Sequence, residues 1–353
     1  MTSGGETWYN YGSILFTNAT VNKAFTGTVL GFVSVKNQEN WLQFTGTNVM
    51  NGHFRVSSSH WILTRDGTDI TFAGGYQADN GFTLYPPPGA ESSAKVTFKK
   101  PWMGNNAAKS QFFVANPGSS YGKMHVVFAC AGSTTKAYFD MHGNSGRNTF
   151  ECTADDAISA SNLYMRSQAV LTITNCTIRF PRFYSDSTAV KIEGKDGGCF
   201  VLTNGWTAAE VSSRLFRGTL AGDLSLTMAG ATGRTQRLYG CVATSCGDVE
   251  VTGGTLQFDS NSSWLVGTNV TVRGTGTLKI NSANTFNEEF AVVHFADGGK
   301  IDVPSGVVQT FAEGWVDGNK LAPGRYTASN LPAHVSGAGT IRIAGSGFMV
   351  IMR

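Results

Sequence analysis

HVVFACAG (residues 125–132), TFECTADD (149–156), TITNCTIR (172–179) and KDGGCFVL (195–202) decide how this chain reads. Each carries one cysteine, and Cys130, Cys152, Cys176 and Cys199 follow one another at steps of 22, 24 and 23 residues. Cys241, in RLYGCVAT (237–244), comes 42 residues later, which is two steps of 21. One residue type returning every ~20–25 residues marks a stacked repeat. The segments are short, rich in β-branched residues and punctuated by glycine, so the unit is a coil of strands rather than a helix pair. Successive coils of that kind lie about 4.8 Å apart, so equivalent side chains stand over one another. Cysteine is small and readily buried, and it suits such an interior column. The expectation is an all-β, right-handed parallel β-helix, or β-solenoid, of about 22 residues per coil, with Cys130, Cys152, Cys176, Cys199 and Cys241 as a structural ladder. It predicts a single elongated domain of roughly a dozen or more coils.

Composition sets the bounds. The chain has 353 residues, long for one globular core, but a solenoid core grows in one dimension. Only 14% of residues are charged, 43 are glycine and 9 are proline. No low-complexity tail or charged run suggests disorder. Net charge is +3 with no basic cluster, so no nucleic-acid partner is expected. No run of 18 apolar residues predicts a membrane span. The start, MTSGGETWYNYG, lacks a basic segment followed by an apolar one. Richness in Ser, Thr, Asn and Gly nevertheless favours an extracellular or cell-surface protein whose signal peptide is absent from this sequence. Stacked free thiols follow from the ladder, although neighbouring coils are also close enough for disulfides.

Three stretches of one continuous β-helix are expected. Residues 1–124 form N-terminal coils with a cap and loop insertions, and YPPPGAE (85–91) reads as a loop leaving the coil because proline donates no hydrogen bond. Residues 125–246 hold the cysteine ladder, and NGWTAAEVSSRLF (204–216) has the makings of a short helix or a long connecting loop. Residues 247–353 carry a second repeat: GGTLQF from Gly253, GTGTLKI from Gly274, GGKIDV from Gly298 and GAGTIRIAG from Gly337. Gly254, Gly276 and Gly299 are 22 and 23 residues apart, and Gly339 follows after 40. Glycine supplies the corner, and the apolar–x–apolar run that follows points two side chains inward.

These glycine-turn units, with LAPGRYTASNLPAHVSGAGTIRI (321–343), resemble the autotransporter-associated β-strand repeats, also called passenger-associated transport repeats. The resemblance covers roughly the last hundred residues. It implies a parallel β-helix, export, and a surface or secreted life. The chain ends at GFMVIMR without a β-barrel of alternating segments, so self-transport is not expected.

β-helices often act on polysaccharides, and two carboxylates flanking a sugar bond are the usual requirement for hydrolysis. The candidate catalytic residues are Glu151, Asp155, Asp156 and Arg179. In a shared column Asp155 stands beside Arg179, and Glu151 beside Asn175. ADDAI (154–158) is similar to the paired aspartates of polygalacturonase-like enzymes, but their His-Gly and Arg-x-Lys partners are not found at matching steps. The competing reading is that Asp155 and Asp156 cap a turn and pair with Arg179. Aromatic side chains offer a second route, since their faces stack on sugar rings: Trp8, Tyr9 and Tyr11 in TWYNYG, and Phe183 and Tyr184 in PRFYSDS. The first group reads equally as an apolar cap over the first coil. No histidine or cysteine spacing indicates a metal, and no cofactor is expected. The favoured function is a secreted or cell-surface structural or adhesion module that contacts a polysaccharide or cell-surface glycan. The alternative is a glycoside hydrolase or polysaccharide lyase. Oligomeric state is not legible.

Overall fold

The computed structural model describes residues 7–10, 14–22, 25–29, 42–56, 60–79, 82–104, 112–114, 120–135, 138–142, 148–244, 247–264 and 269–344. They form an all-β solenoid without helices, a parallel β-helix of about 11 turns spaced by about 23 residues. The chain divides into two compact units, Met1–Phe180 with Ala189–Lys191, and Pro181–Thr188 with Ile192–Arg353.

In the first unit each coil has three strands, and each strand pairs in parallel with the strand three further along. Phe54–Val56, His60–Thr64 and Thr68–Phe72 make one coil. Tyr76–Ala78, Phe82–Tyr85 and Ser93–Phe98 make the next, each lying on its counterpart. The sequence alternates accordingly: in Ser93–Phe98, Ala94, Val96 and Phe98 point inward and their neighbours outward.

The interior of this unit is aromatic. On one face Phe72, Phe98 and Phe128 stand in register and stack, with ring centroids 5.3 and 5.5 Å apart. On the second, Phe82, Phe112 and Phe139 stand in register with tilted rings, centroids 5.2 and 5.3 Å apart. On the third, Phe54, Tyr76 and Trp102 share a column. The columns meet edge to face, as in Phe72–Tyr76 at 4.8 Å and Phe112–Phe128 at 5.3 Å. Burying one such ring contributes about 1.5–3 kcal/mol, and each favourable ring pair about 0.5–1.5 kcal/mol more.

This register corrects the cysteine ladder. Cys152 stands opposite Phe128 on one side and Ile173 on the other, not opposite Cys130 or Cys176. Cys130 lies past the end of Lys123–Phe128, and Cys176 lies in the bend after Val170–Thr174. Register follows the inward apolar rows, because a slip of one residue turns every side chain to the wrong face. Cysteines in corners have no such hold on it. In the second unit Cys199 alternates with buried Phe200 and Leu202 and is half-exposed, whereas Cys241 is buried at a corner. All five of these cysteines are free thiols.

The second unit adds largely aliphatic columns to smaller ring clusters such as Phe258, Trp264 and Phe286. Phe200, Leu226, Val249, Val270 and Val293 form one column, and Leu256, Leu278 and Ile301 another. The glycine repeat aligns as expected over three members, with Thr255, Thr277 and Lys300 in register. The glycines do two jobs. Gly298 turns the chain at φ 82°, while a Cβ on Gly299 would come within 2.3 Å of Val272 backbone atoms. The fourth member departs: Thr340–Ile343 pairs with Val308–Phe311, and the rung on Ile301 is instead Val335. Antiparallel strand pairings also break the parallel rule here, Glu313–Val316 with Asn319–Lys320 and Gly324–Tyr326 with Thr340–Ile343. They cover strand edges that would otherwise present unpaired backbone groups.

Where a coil lacks a strand, a buried amide takes its place. Gln236 accepts from the Phe183 N–H and donates to its carbonyl, and Gln309 does the same for Phe286. Both glutamines are fully buried, and these bonds satisfy backbone groups that would cost free energy if left alone. The segment after Asn204 is a turn-rich loop, not a helix. The triple proline lies in the connection between Phe82–Tyr85 and Ser93–Phe98, where Pro86 and Pro87 are buried, Pro88 is exposed, and Pro87 accepts from the Gly122 N–H at 2.7 Å.

Candidate functional site

The predicted acidic cluster lies in the first unit, where its members hold the backbone and one another. Asp155 Oδ1 accepts from the Thr177 N–H at 2.7 Å. Asp156 sits at φ 47°, in the left-handed region that aspartate tolerates at turns, and pairs with Arg179 at 2.8 Å. Arg179 is thus held by Asp156, and the expected Asp155–Arg179 pairing gives way to an Asp155–Thr177 bond. Glu151 pairs in register with Thr172, not Asn175, because the strand register runs 21 residues from Cys152 to Ile173. Its carboxylate accepts from the Thr174 hydroxyl at 3.2 Å and lies 3.3 Å from His125 Nε2. Asp140, on a neighbouring face, is buried and paired with Arg166 at 3.2 Å. The arrangement ties turns and adjacent rungs together.

The predicted aromatics separate. Trp8 and Tyr9 lie in Thr7–Asn10, level with Gly27 and Thr28, and Tyr11 falls outside the described residues. Phe183 is corrected: it is fully buried, with its ring 4.5 Å from Phe216 and 5.1 Å from Phe200. In Phe183–Ser185 the alternation sends Phe183 and Ser185 inward and leaves Tyr184 outward.

Tyr184 belongs to a cluster that the sequence reading missed. The loop after Asn204 returns Trp206 beside it, with the two rings edge to face at 5.5 Å. Trp206 is 3% exposed, and its indole N–H donates to the Phe183 carbonyl at 3.4 Å. The Arg182 guanidinium lies 4.2 Å from the Trp206 ring centroid. Arg214 lies 4.7 Å from the centroid of Tyr184 and 5.8 Å from that of Trp206. Such cation–π contacts contribute about 0.5–1 kcal/mol at exposed sites. Leu215–Phe216 then pairs with Thr235–Leu238 in register, and just beyond it Arg217 lies 5.4 Å from the centroid of Tyr239. Tyr239 is 41% exposed.

Charge in the cluster is unevenly matched. Glu210 pairs with Arg182 at 3.2 Å. It also accepts from the Thr207 hydroxyl and N–H, bonds that hold its carboxyl below the usual range, with Arg182 adding to the effect. Arg214 and Arg217 have no carboxylate partner among the described residues.

Other features are simpler. Trp61 and Tyr85 stack at 5.0 Å in the first unit. An open hollow of about 380 Å³ in the second unit is lined by Trp264, Phe286, Asn287 and Glu289 among others. Among the described residues no three His, Cys, Asp or Glu side chains group as metal ligands, and no helix is long and apolar enough to cross a membrane. Burial pushes the thiols up, to about 11 for Cys176 and about 12 for Cys241, so they are poor nucleophiles.

Fold and surface together define a parallel β-helix protein with an arginine–aromatic shelf in its second unit. Comparison of the chain with family models, with curated proteins and with solved structures finds no match.

Proposed function

We propose that the chain is a surface or secreted structural module that contacts glycans through Tyr184 and Tyr239. The observation that carries this reading is the shelf itself: two outward tyrosines on the levels either side of Leu215–Phe216, each with an arginine over its ring. Rings fixed in this way lose little freedom when a sugar packs against them. The glycine-turn repeats support an exported protein of the autotransporter-passenger type. Engagement of Glu151, Asp155 and Asp156 with rungs and turns favours a structural role over a catalytic one. The test is a panel of immobilised glycans assayed for binding and for released sugar. Binding that is lost in the double variant Tyr184→Ala/Tyr239→Ala, with no sugar released, is expected. Released sugar that disappears in Glu151→Gln would replace this reading with a hydrolytic one.

A further inference from the structure

Resting on the glycan-contact reading, we infer that the shelf selects anionic polysaccharides, with Arg214 and Arg217 binding carboxylate or sulfate groups one disaccharide step apart. The argument begins with orientation. A guanidinium that stacks on a ring keeps its N–H donors in a plane, a fork that matches carboxylate or sulfate geometry. Arg214 is so placed over Tyr184, and Arg217 over Tyr239. Both arginines are exposed.

Charge is the second step. Three other arginines of this unit are neutralised within the protein. Arg182 pairs with Glu210, Arg237 with Asp259 at 2.6 Å, and Arg273 with Glu250 at 2.8 Å. Arg214 and Arg217 are held by rings instead, and their donors are not consumed by a carboxylate among the described residues. The nearby acid, Glu210, is already committed to Thr207 and Arg182.

Spacing is the third. Phe183 packs on Phe216, and Phe216 is level with Leu238, so Tyr184 and Tyr239 belong to strand levels on either side of Leu215–Phe216. At about 4.8 Å per level the two tyrosines are about 10 Å apart along the stack. A polymer with an anion on each repeat presents charges at intervals of that order. A lone small anion would use only one arginine.

The chemistry shared by uronate and sulfate polymers is what the shelf recognises, and separate probes distinguish the two. The full chain is titrated with polygalacturonate, dextran sulfate and neutral dextran. The expected result is binding to one or both anionic polymers and none to dextran. Arg214→Gln and Arg217→Gln should each weaken binding roughly tenfold, as expected for loss of one charge-assisted contact. Arg214→Lys should recover only part, because it keeps the charge and loses the fork. Arg325→Gln, which removes an equal charge from an exposed site in the same unit, should leave affinity unchanged. A thermal melt of each variant confirms that the fold is kept. Equal binding to neutral dextran, unaffected by Arg214→Gln, overturns the anionic inference and leaves glycan contact standing. An equal loss in Arg325→Gln overturns it too, since bulk charge then explains the effect. Tighter binding of a single-stranded DNA oligonucleotide at the same salt overturns the saccharide assignment. Failure of every polysaccharide to bind defeats both readings.

Discussion

Phe128 and Cys152 face each other across one rung of the first unit, and at that level a column of stacked rings gives way to a thiol. The column above is filled by Phe72, Phe98 and Phe128, all fully buried. Phe98→Ala removes a ring stacked on both sides and should cost about 3–5 kcal/mol. Cys152→Ala deletes a single sulfur and should cost about 1 kcal/mol. Chemical denaturation of the two variants checks the ranking, and equal losses would show that the rings do not hold the coil together.

The buried thiols make stability depend on alkaline pH. Cys241 is pushed up to about 12 from an ordinary value of 9.0, chiefly by burial. Above pH 9 the unfolded chain loses this proton while the folded chain keeps it, so the folded state binds more protons and stability falls with rising pH. The contribution is fully present below pH 9 and is lost as pH climbs toward 12. By pH 10 the loss should be about 1 kcal/mol, and Cys241→Ala should flatten the slope. Melting curves between pH 8 and 10 measure it. In the native protein near pH 8, iodoacetamide should leave Cys152 and Cys241 unmodified and react first with half-exposed Cys199.

The coil period was legible because cysteines at strand ends or in the bends beside them, and corner glycines, recur at nearly constant steps. Register was not, since corners tolerate insertions and inward rows do not. Phe72, Phe98 and Phe128 are the true markers of the first unit, but their steps of 26 and 30 residues hide among unequal turns. Where turns are uniform, as from Gly254 to Gly299, sequence and register agree. Asp155 and Asp156 brace the turn, and Asp156 pairs with Arg179, in the arrangement of the competing turn-capping reading. The shelf was missed because Tyr184 meets Trp206 and Arg214 only through a loop that doubles back between rungs, and no local spacing announces it.

Glycine at a corner and glycine against backbone should respond differently to a side chain. Gly306 turns the chain at φ 80° with open space where a Cβ would lie, so Gly306→Ala meets backbone strain alone, about 1 kcal/mol. Gly299→Ala drives a methyl to 2.3 Å from Val272 backbone atoms, which cannot retreat without breaking the rung. A loss of about 3 kcal/mol or more is expected. Equal melting temperatures for the two variants would contradict the close approach.

The carboxylates around the turn at 153–156 should matter to folding in proportion to what each one holds. Asp156 and Arg179 are both about half exposed, at 47% and 49%, so their ion pair is screened by water and worth at most about 1 kcal/mol. Asp156→Asn should therefore change stability little and retain the turn, since asparagine also tolerates positive φ. Asp155 accepts the Thr177 N–H, which lies one coil further on, and Asp155→Ala leaves that donor to water alone. The expected loss is about 0.5–2 kcal/mol, the range for removing a capping oxygen. Asp155→Asn keeps an acceptor oxygen and should restore most of it. Hydrogen exchange at the Thr177 amide reports directly on the bond: it should quicken in Asp155→Ala and return toward the wild-type rate in Asp155→Asn. Unchanged exchange in both would detach Asp155 from the turn and reopen a chemical role for its carboxylate.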